Sequence, residues 1–540
     1  MPLPRILAAL VPVLALTVSS GPLAAQHHAG PAAAADSAPV PRYGEALGAC
    51  AWPVRTASRE AQAYFDQGVK LMYAFALPEA RRSFAEARRR DPACTMCWWG
   101  EAWSMGPYLN GAMRDEDAPE ATAAARRARE LAARRGTRLE RALAGAMSAR
   151  YRESHGAAGR KGLDSAYARA MERVYARFPA TPEVAALYAD ALMLLEPRRG
   201  TWSVEKPSVA RIHEVLERAL AADVAHPGVC HSFIHATEST PRAERAQTCA
   251  DLLVSAMPGA SHLNHMPSHT YNRVGRWADA VRSNELAWAS DRRAAEGRAI
   301  SVYPGHNLHM LLFAASTDGQ EAKALEAADA YAALVPAGDG AGLQALVRLR
   351  FGRFADVLAL VAAPAHPVHL GLWSFARGYA HHRGGQRDSA AAYLARVDSL
   401  AAHTPETSVF RGHAPARLLG VVGGILRAEL LRAEGRTDAA VAALEEAVKL
   451  EDGLTYDEPE PLPFAARDWL GAALLEAGRA GEAERVYRAA LEDRPHNGWS
   501  LAGLERALRA QGRTADADAA GAAFREAWAR SRTQLTGSRF

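Results

Sequence analysis

Residues 68–92 read GVKLMYAFALPEARRSFAEARRRDP, and residues 471–495 read GAALLEAGRAGEAERVYRAALEDRP. The two stretches share one ladder. Gly68, Ala80, Phe84, Ala87 and Pro92 are separated by 12, 4, 3 and 5 positions, and Gly471, Ala483, Tyr487, Ala490 and Pro495 repeat those spacings. A helix hairpin accounts for the pattern. Small residues sit where two helices touch, an aromatic ring fills the gap between them, and a proline stops the second helix. Gly478 and Gly512, each followed by arginine, stand 34 residues apart. Related turns occur at Gly275–Arg276, Gly352–Arg353 and Gly435–Arg436. Hairpins of this kind, some degenerate, cover most of 58–530, and strand patterns are nearly absent. The chain therefore reads as all-α, a solenoid of stacked helix pairs.

The ladder resembles the tetratricopeptide repeat, a hairpin of about 34 residues. The resemblance implies a right-handed α-solenoid with a concave groove, which in such proteins usually holds a peptide or a protein partner.

Composition narrows the function. The 540 residues are 49% hydrophobic and 23% charged, with Lys+Arg 64 against Asp+Glu 60. Both signs alternate along the chain, which argues against a nucleic-acid partner. Only Lys70, Lys161, Lys206, Lys323 and Lys449 are lysines, and none follows a glycine in a GKS or GKT motif, so a Walker-type phosphate loop is excluded. GxSxG, HExxH and GxGxxG are absent as well.

The first 25 residues read as a signal peptide. Arg5 precedes an apolar run from Ile6 to Val18, then come Ser19, Ser20, Gly21 and Pro22, with Ala25 at a cleavage site. That run, interrupted by Pro12, is too short for a stable membrane span, and no second segment of spanning length follows. An exported protein, periplasmic or secreted, is expected. Residues 26–57, rich in Ala and Pro, read as a loose leader. Behind it come N-terminal repeats at 58–226, a His-rich centre at 227–336 and C-terminal repeats at 337–540.

The histidines single out the centre. With Pro258 closing one repeat, the next begins at Ser261 and puts His262, His265 and His269 at its positions 2, 5 and 9. With Pro336 in the same role, His306 and His309 take positions 2 and 5. The preceding unit, from Pro227, has His231 and His235 at positions 5 and 9 and Glu238 at 12. Positions spaced by three and four share one helix face, and in the repeats resembled this face lines the groove. At 19 His in 540 residues, twelve groove positions would hold roughly 0.4 by chance, and seven are found. Packed helices lie about 8–10 Å apart, so neighbouring stripes can converge on one ion. Imidazole with carboxylate suits Zn, Cu or Fe. Pro267 inside the third stripe suggests a helix beginning near Asn264, with His262 on the turn before it. The stripes lie near helix N-termini, which keeps imidazoles neutral and also favours a small anion as an alternative occupant.

HSFIHATE (231–238), HLNHMPSHTYNRVGRW (262–277) and YPGHNLHMLLFAAS (303–316) resemble a bacterial family of exported tetratricopeptide-repeat proteins marked by HMPSH and HNLH motifs. CTMCWWGEAWSMGPYLN (94–110), YDEPEPLP (456–463) and RPHNGWSLAGL (494–504) look like further blocks of it. The resemblance implies the fold and a shared His-rich groove, and no reaction.

Cys94 and Cys97 form a CxxC read as a disulfide in an oxidising compartment, with a metal pair as the alternative. Cys230 and Cys249 fall on two helices of one hairpin and can cross-link it, leaving Cys50 over. Trp98, Trp99 and Trp103 read as core. The YDEPEPLP insertion reads as a surface loop, with a lid over the groove as the alternative. His366, His369, His381, His382 and His413 lack the groove register and read as surface or turn residues, and the final helix near Trp528 as a polar end cap. The expectation is an exported α-solenoid with a His/Glu transition-metal site in its groove, an enzyme or a metal-handling protein. Its alternative is a metal-free scaffold for a peptide or a small anion.

Overall fold

The computed structural model describes residues 39–540 except 155, 198–199 and 336–337. The segment read as a signal peptide, the start of the leader and Pro336 lie outside the described residues. Among the described residues twelve helix hairpins follow one another, from Arg59–Tyr73 with Leu77–Arg90 to Gly498–Ala510 with Thr514–Ala527. No strand is formed among the described residues. The chain is an all-α solenoid of tetratricopeptide-type hairpins.

The ladder has a direct steric meaning. The Phe84 ring lies between Gly68 of its own hairpin and Gly100 of the next, and a Cβ on Gly68 would stand 2.6 Å from it. Tyr487 lies in the same way between Gly471 and Gly503. The Gly-Arg turns carry the left-handed conformation that ends each first helix, as at Gly275 with φ +75°. Proline opens many of the first helices, including Pro227–Glu238 and Pro304–Thr317, where its missing N–H is not needed.

Two parts of the chain depart from the expectations. Residues 39–57 are no loose leader: Leu47 and Trp52 are buried, and the Trp52 amide donates to Asp66 at 2.9 Å. The strap continues to the sixth hairpin, where the Gly259 amide donates to the Ala46 carbonyl at 2.7 Å. The C-terminal helix pair is no polar cap either. Trp528 is buried against Trp499, with ring centroids 5.3 Å apart, and Arg530 pairs with Asp318 at 2.7 Å. Trp499 Nε1 donates to the Ser316 carbonyl, and Trp277 Nε1 to the Pro495 carbonyl at 2.8 Å. The eleventh and twelfth hairpins thus pack back onto the sixth and seventh. Stacked hairpins normally touch only their neighbours, and this closure packs the last two hairpins against the central ones that line the chamber.

Candidate metal centre

Three consecutive first helices carry the chamber wall: Pro227–Glu238, then Ser261–His265 running into Pro267–Val274, then Pro304–Thr317. The middle one begins at Ser261, ahead of the expected Asn264, so His262 belongs to the helix. Met266 keeps helical dihedrals at the joint, φ −50° and ψ −38°, and only the N–H that Pro267 lacks is missing.

The seven histidines and Glu238 meet there, with one exception. Ligand atoms of His231, His235 and His262 lie within 4.8 Å of one another, as do those of His265, His269 and His306. A third set, His235, Glu238 and Glu458, obeys the same limit. His309 stands apart from these groups: its Nδ1 is 3.1 Å from Arg411 Nη1, and its ring faces Tyr331. His231, His235, Glu238, His262, His265, His269 and His309 are buried, and His306 is half-buried.

Second partners orient the rings. His231 Nδ1 donates to the Tyr73 carbonyl at 2.6 Å, and His235 Nδ1 to Glu238 Oε1 at 2.8 Å. His265 Nδ1 donates to Asn284 Oδ1 at 2.7 Å, while Asn284 Nδ2 is committed to the Ala280 carbonyl. Each ring thereby carries its proton on Nδ1 and keeps the Nε2 lone pair. The Nε2 of His231 and both nitrogens of His262 have no hydrogen-bond partner, although buried. Buried polar atoms are almost always satisfied, and a metal-binding imidazole typically donates its other N–H to a carbonyl or carboxylate. The donor set fits a first-row transition metal. Bond lengths near 2 Å require nitrogens about 3.3 Å apart, within reach of small side-chain adjustments.

Burial holds His262, His265, His306 and His309 well below the usual imidazole range, and neighbouring imidazoles add to it, joined by Arg411 at His306 and His309. His231 is lowered in the same way, by burial and then by His235. His269 departs from the neutral state expected near a helix N-terminus. Burial opposes its charge, yet Glu238 at 2.5 Å and Glu458 at 2.9 Å from Nδ1 raise it to about 10. Its Nε2 lies 2.7 Å from His265 Nε2. Since His265 has its proton on Nδ1, the proton between these nitrogens belongs to His269, an imidazolium.

Residues outside the repeat register complete the site. Phe75, in the turn of the first hairpin, stacks on His262 at 5.1 Å and His235 at 5.8 Å. Tyr303 stands edge-on to His262 at 5.2 Å and shares a 2.6 Å hydrogen bond with Tyr108. Phe75, Tyr303 and Arg411 have φ of +55°, +56° and +53°, and His496 is the fourth non-glycine residue of this kind among the described residues. Such backbone strain persists where surrounding contacts impose it, commonly at functional sites.

The 456–463 insertion is packed into the chamber rather than lying free as a surface loop. Glu458 pairs with His269, and Asp457 receives Arg411 at 2.5 Å and lies 3.4 Å from His413. His413 and His369 are therefore buried residues, contrary to their surface reading; His366, His381 and His382 are partly exposed. No spacing rule in the sequence pointed to Phe75, Tyr303, Arg411 or Glu458. The acidic cluster of the insertion was the one available signal.

The structure joins Cys94 to Cys97 and Cys230 to Cys249 as disulfides, the second bracing the helix that bears His231. Cys50 is free and half-buried, its thiol pushed up to about 11 by burial. Trp99 and Trp103 are core, and Trp98 is half-buried under Arg88 at 4.5 Å. No helix among the described residues is long and apolar enough to cross a membrane.

No family model matches the chain, and no curated protein matches it. Among solved structures, it is similar to the Cut9-Hcn1 hetero-tetramer of the APC/C at 13% identity, covering 83% of this chain and 76% of that one, with a TM-score of 0.30. The human IFIT1 dimer is similar at 13% identity, 88% and 91% coverage and a TM-score of 0.30. The P58(IPK) TPR domain follows at 12% identity, 84% and 99% coverage and a TM-score of 0.21.

Proposed function

We propose that this protein is an exported, helical-repeat metal-binding protein that holds a transition metal, Zn, Cu or Fe, on the His/Glu cluster of its chamber. The observation carrying the reading is the buried Nε2 of His231 and both nitrogens of His262, none with a hydrogen-bond partner. Nδ1–H bonds fix the rings of His231 on the Tyr73 carbonyl, His235 on Glu238 and His265 on Asn284. Leaving His262 buried with both nitrogens unsatisfied is costly without a ligand. A bound ion supplies Lewis acidity or redox capacity there. The chain's part is to pre-orient the ligands, to exclude bulk water, and to pair His269 with the half-buried Glu458 at the crevice. The two disulfides and the signal-type segment support export to an oxidising compartment.

The test is metal analysis of untagged protein, stripped with a chelator, offered Zn2+, Cu2+ or Fe2+, and desalted. A His231→Ala/His265→Ala variant of unchanged helix content is treated alongside. Near-stoichiometric metal in the parent, lost in the variant, supports the reading. A parent that retains none returns the protein to the scaffold class, with peptides and small anions as the ligands to screen.

A further inference from the structure

The two histidine triads share no residue. His231, His235 and His262 form one, and His265, His269 and His306 the other. A single four-coordinate ion would leave at least two of these six imidazoles without a metal in a buried site. The third set, with Glu238 and Glu458, competes for His235 and would break the first triad.

One carboxylate links them. Glu238 Oε1 receives His235 Nδ1 at 2.8 Å, and Oε2 lies 2.5 Å from His269 Nδ1. It can orient one imidazole of each triad without being a ligand itself, a carboxylate–histidine–metal relay in duplicate. In the second triad the Nε2 atoms of His265 and His269 already converge on a shared proton at 2.7 Å. A proton between two facing lone pairs marks the position a cation takes when it displaces it.

Access differs between the two. Phe75 packs over the first triad, touching His231 at a 4.4 Å centroid distance, His235 and His262. A crevice lined by Asn272, Arg273, Met310, Tyr456 and Glu458 leads to His269, and His306 is half-buried.

We infer that the chamber is a two-ion centre. One divalent first-row ion sits on His231, His235 and His262 beneath Phe75, and a second on His265, His269 and His306 at the crevice, with Glu238 as their common outer partner. This rests on the metal reading above and gives it a stoichiometry. Each ion keeps a ligand position for water or a small bridging anion, because three protein ligands leave a tetrahedral ion one short.

The experiment is Zn2+ stoichiometry on the full, untagged protein by elemental analysis after equilibrium dialysis, with His262→Gln and His306→Gln beside it. Circular dichroism checks that each variant is folded, and Phe75→Leu serves if His262→Gln is not. The expected result is two equivalents in the parent and one in each histidine variant, with Phe75→Leu releasing only one of two ions more than tenfold faster to a chelator. One equivalent in the parent, lost equally in both histidine variants, overturns the two-ion centre and leaves the single-site reading standing. Two ions leaving the Phe75→Leu protein at one common rate contradict the separate triads. No bound Zn2+ in the parent overturns both.

Discussion

Glu458 Oε2 lies 2.9 Å from His269 Nδ1, tying an insertion in the C-terminal repeats to the central helix Pro267–Val274. The pair is buried on the histidine side and half-open on the carboxylate side.

In metal-free protein, Glu458→Gln should destabilise the fold by about 1–2 kcal/mol near neutral pH. The sign follows from His269, whose folded-state value of about 10 lies above its unfolded one. Its contribution is complete below the unfolded value of about 6.5 and is lost as pH rises through about 10. Urea unfolding should therefore separate parent and variant at neutral pH and show the gap closing towards roughly pH 11. A gap independent of pH would contradict the assignment.

Loading the His265–His269–His306 triad should expel a proton. His269 Nε2 holds it against His265 at 2.7 Å in the metal-free state. Affinity there should fall about tenfold per pH unit below the His269 value, while the first triad, whose His231 and His262 are lowered by burial, should be far less sensitive. Calorimetric titration with Zn2+ in two buffers of different ionisation enthalpy measures the protons released. Close to one per ion at this triad is expected near pH 7.5.

Arg411→Ala should cost about 3–5 kcal/mol, because it leaves Asp457 buried without its cation. Arg411 also donates to the Glu458 carbonyl at 2.6 Å, so the same change should release the 456–463 segment from the chamber. Chemical denaturation gives the first quantity, and faster hydrogen exchange in that segment the second.

Gly275→Ala tests the closure of the solenoid. Gly275 has φ +75°, and an added Cβ would press on the Pro495 carbonyl, a backbone group that cannot swing aside. A loss of about 2–3 kcal/mol is expected. A comparable Gly478→Ala change, with φ +74° and open space around it, should cost only about 1 kcal/mol of turn strain.

The hairpins and the inward histidine stripe were legible because both obey a helical period. Gly68 and Phe84, or His231 and His235, stand at spacings that only one backbone geometry explains. Phe75, Tyr303 and Arg411 were not legible, and Glu458 only as part of the acidic insertion that could cover the groove. They sit in turns and in an insertion, where backbone conformation follows tertiary contacts rather than periodicity, and three of them hold left-handed dihedrals that side chains avoid. The closure by Trp277, Trp499 and Trp528 was hidden for a related reason. A buried indole in a repeat looks the same whether it faces its own hairpin or one five repeats away. His309 had the right register and a different partner, since Arg411 arrives from far along the chain.

The central claim is that the chamber binds metal through its imidazoles, and anomalous scattering from crystals grown with Zn2+ tests it most directly. The account predicts strong peaks within bonding distance of His231, His235 and His262 and of His265, His269 and His306. A well-ordered chamber with these rings in place and no anomalous peak among them would contradict it.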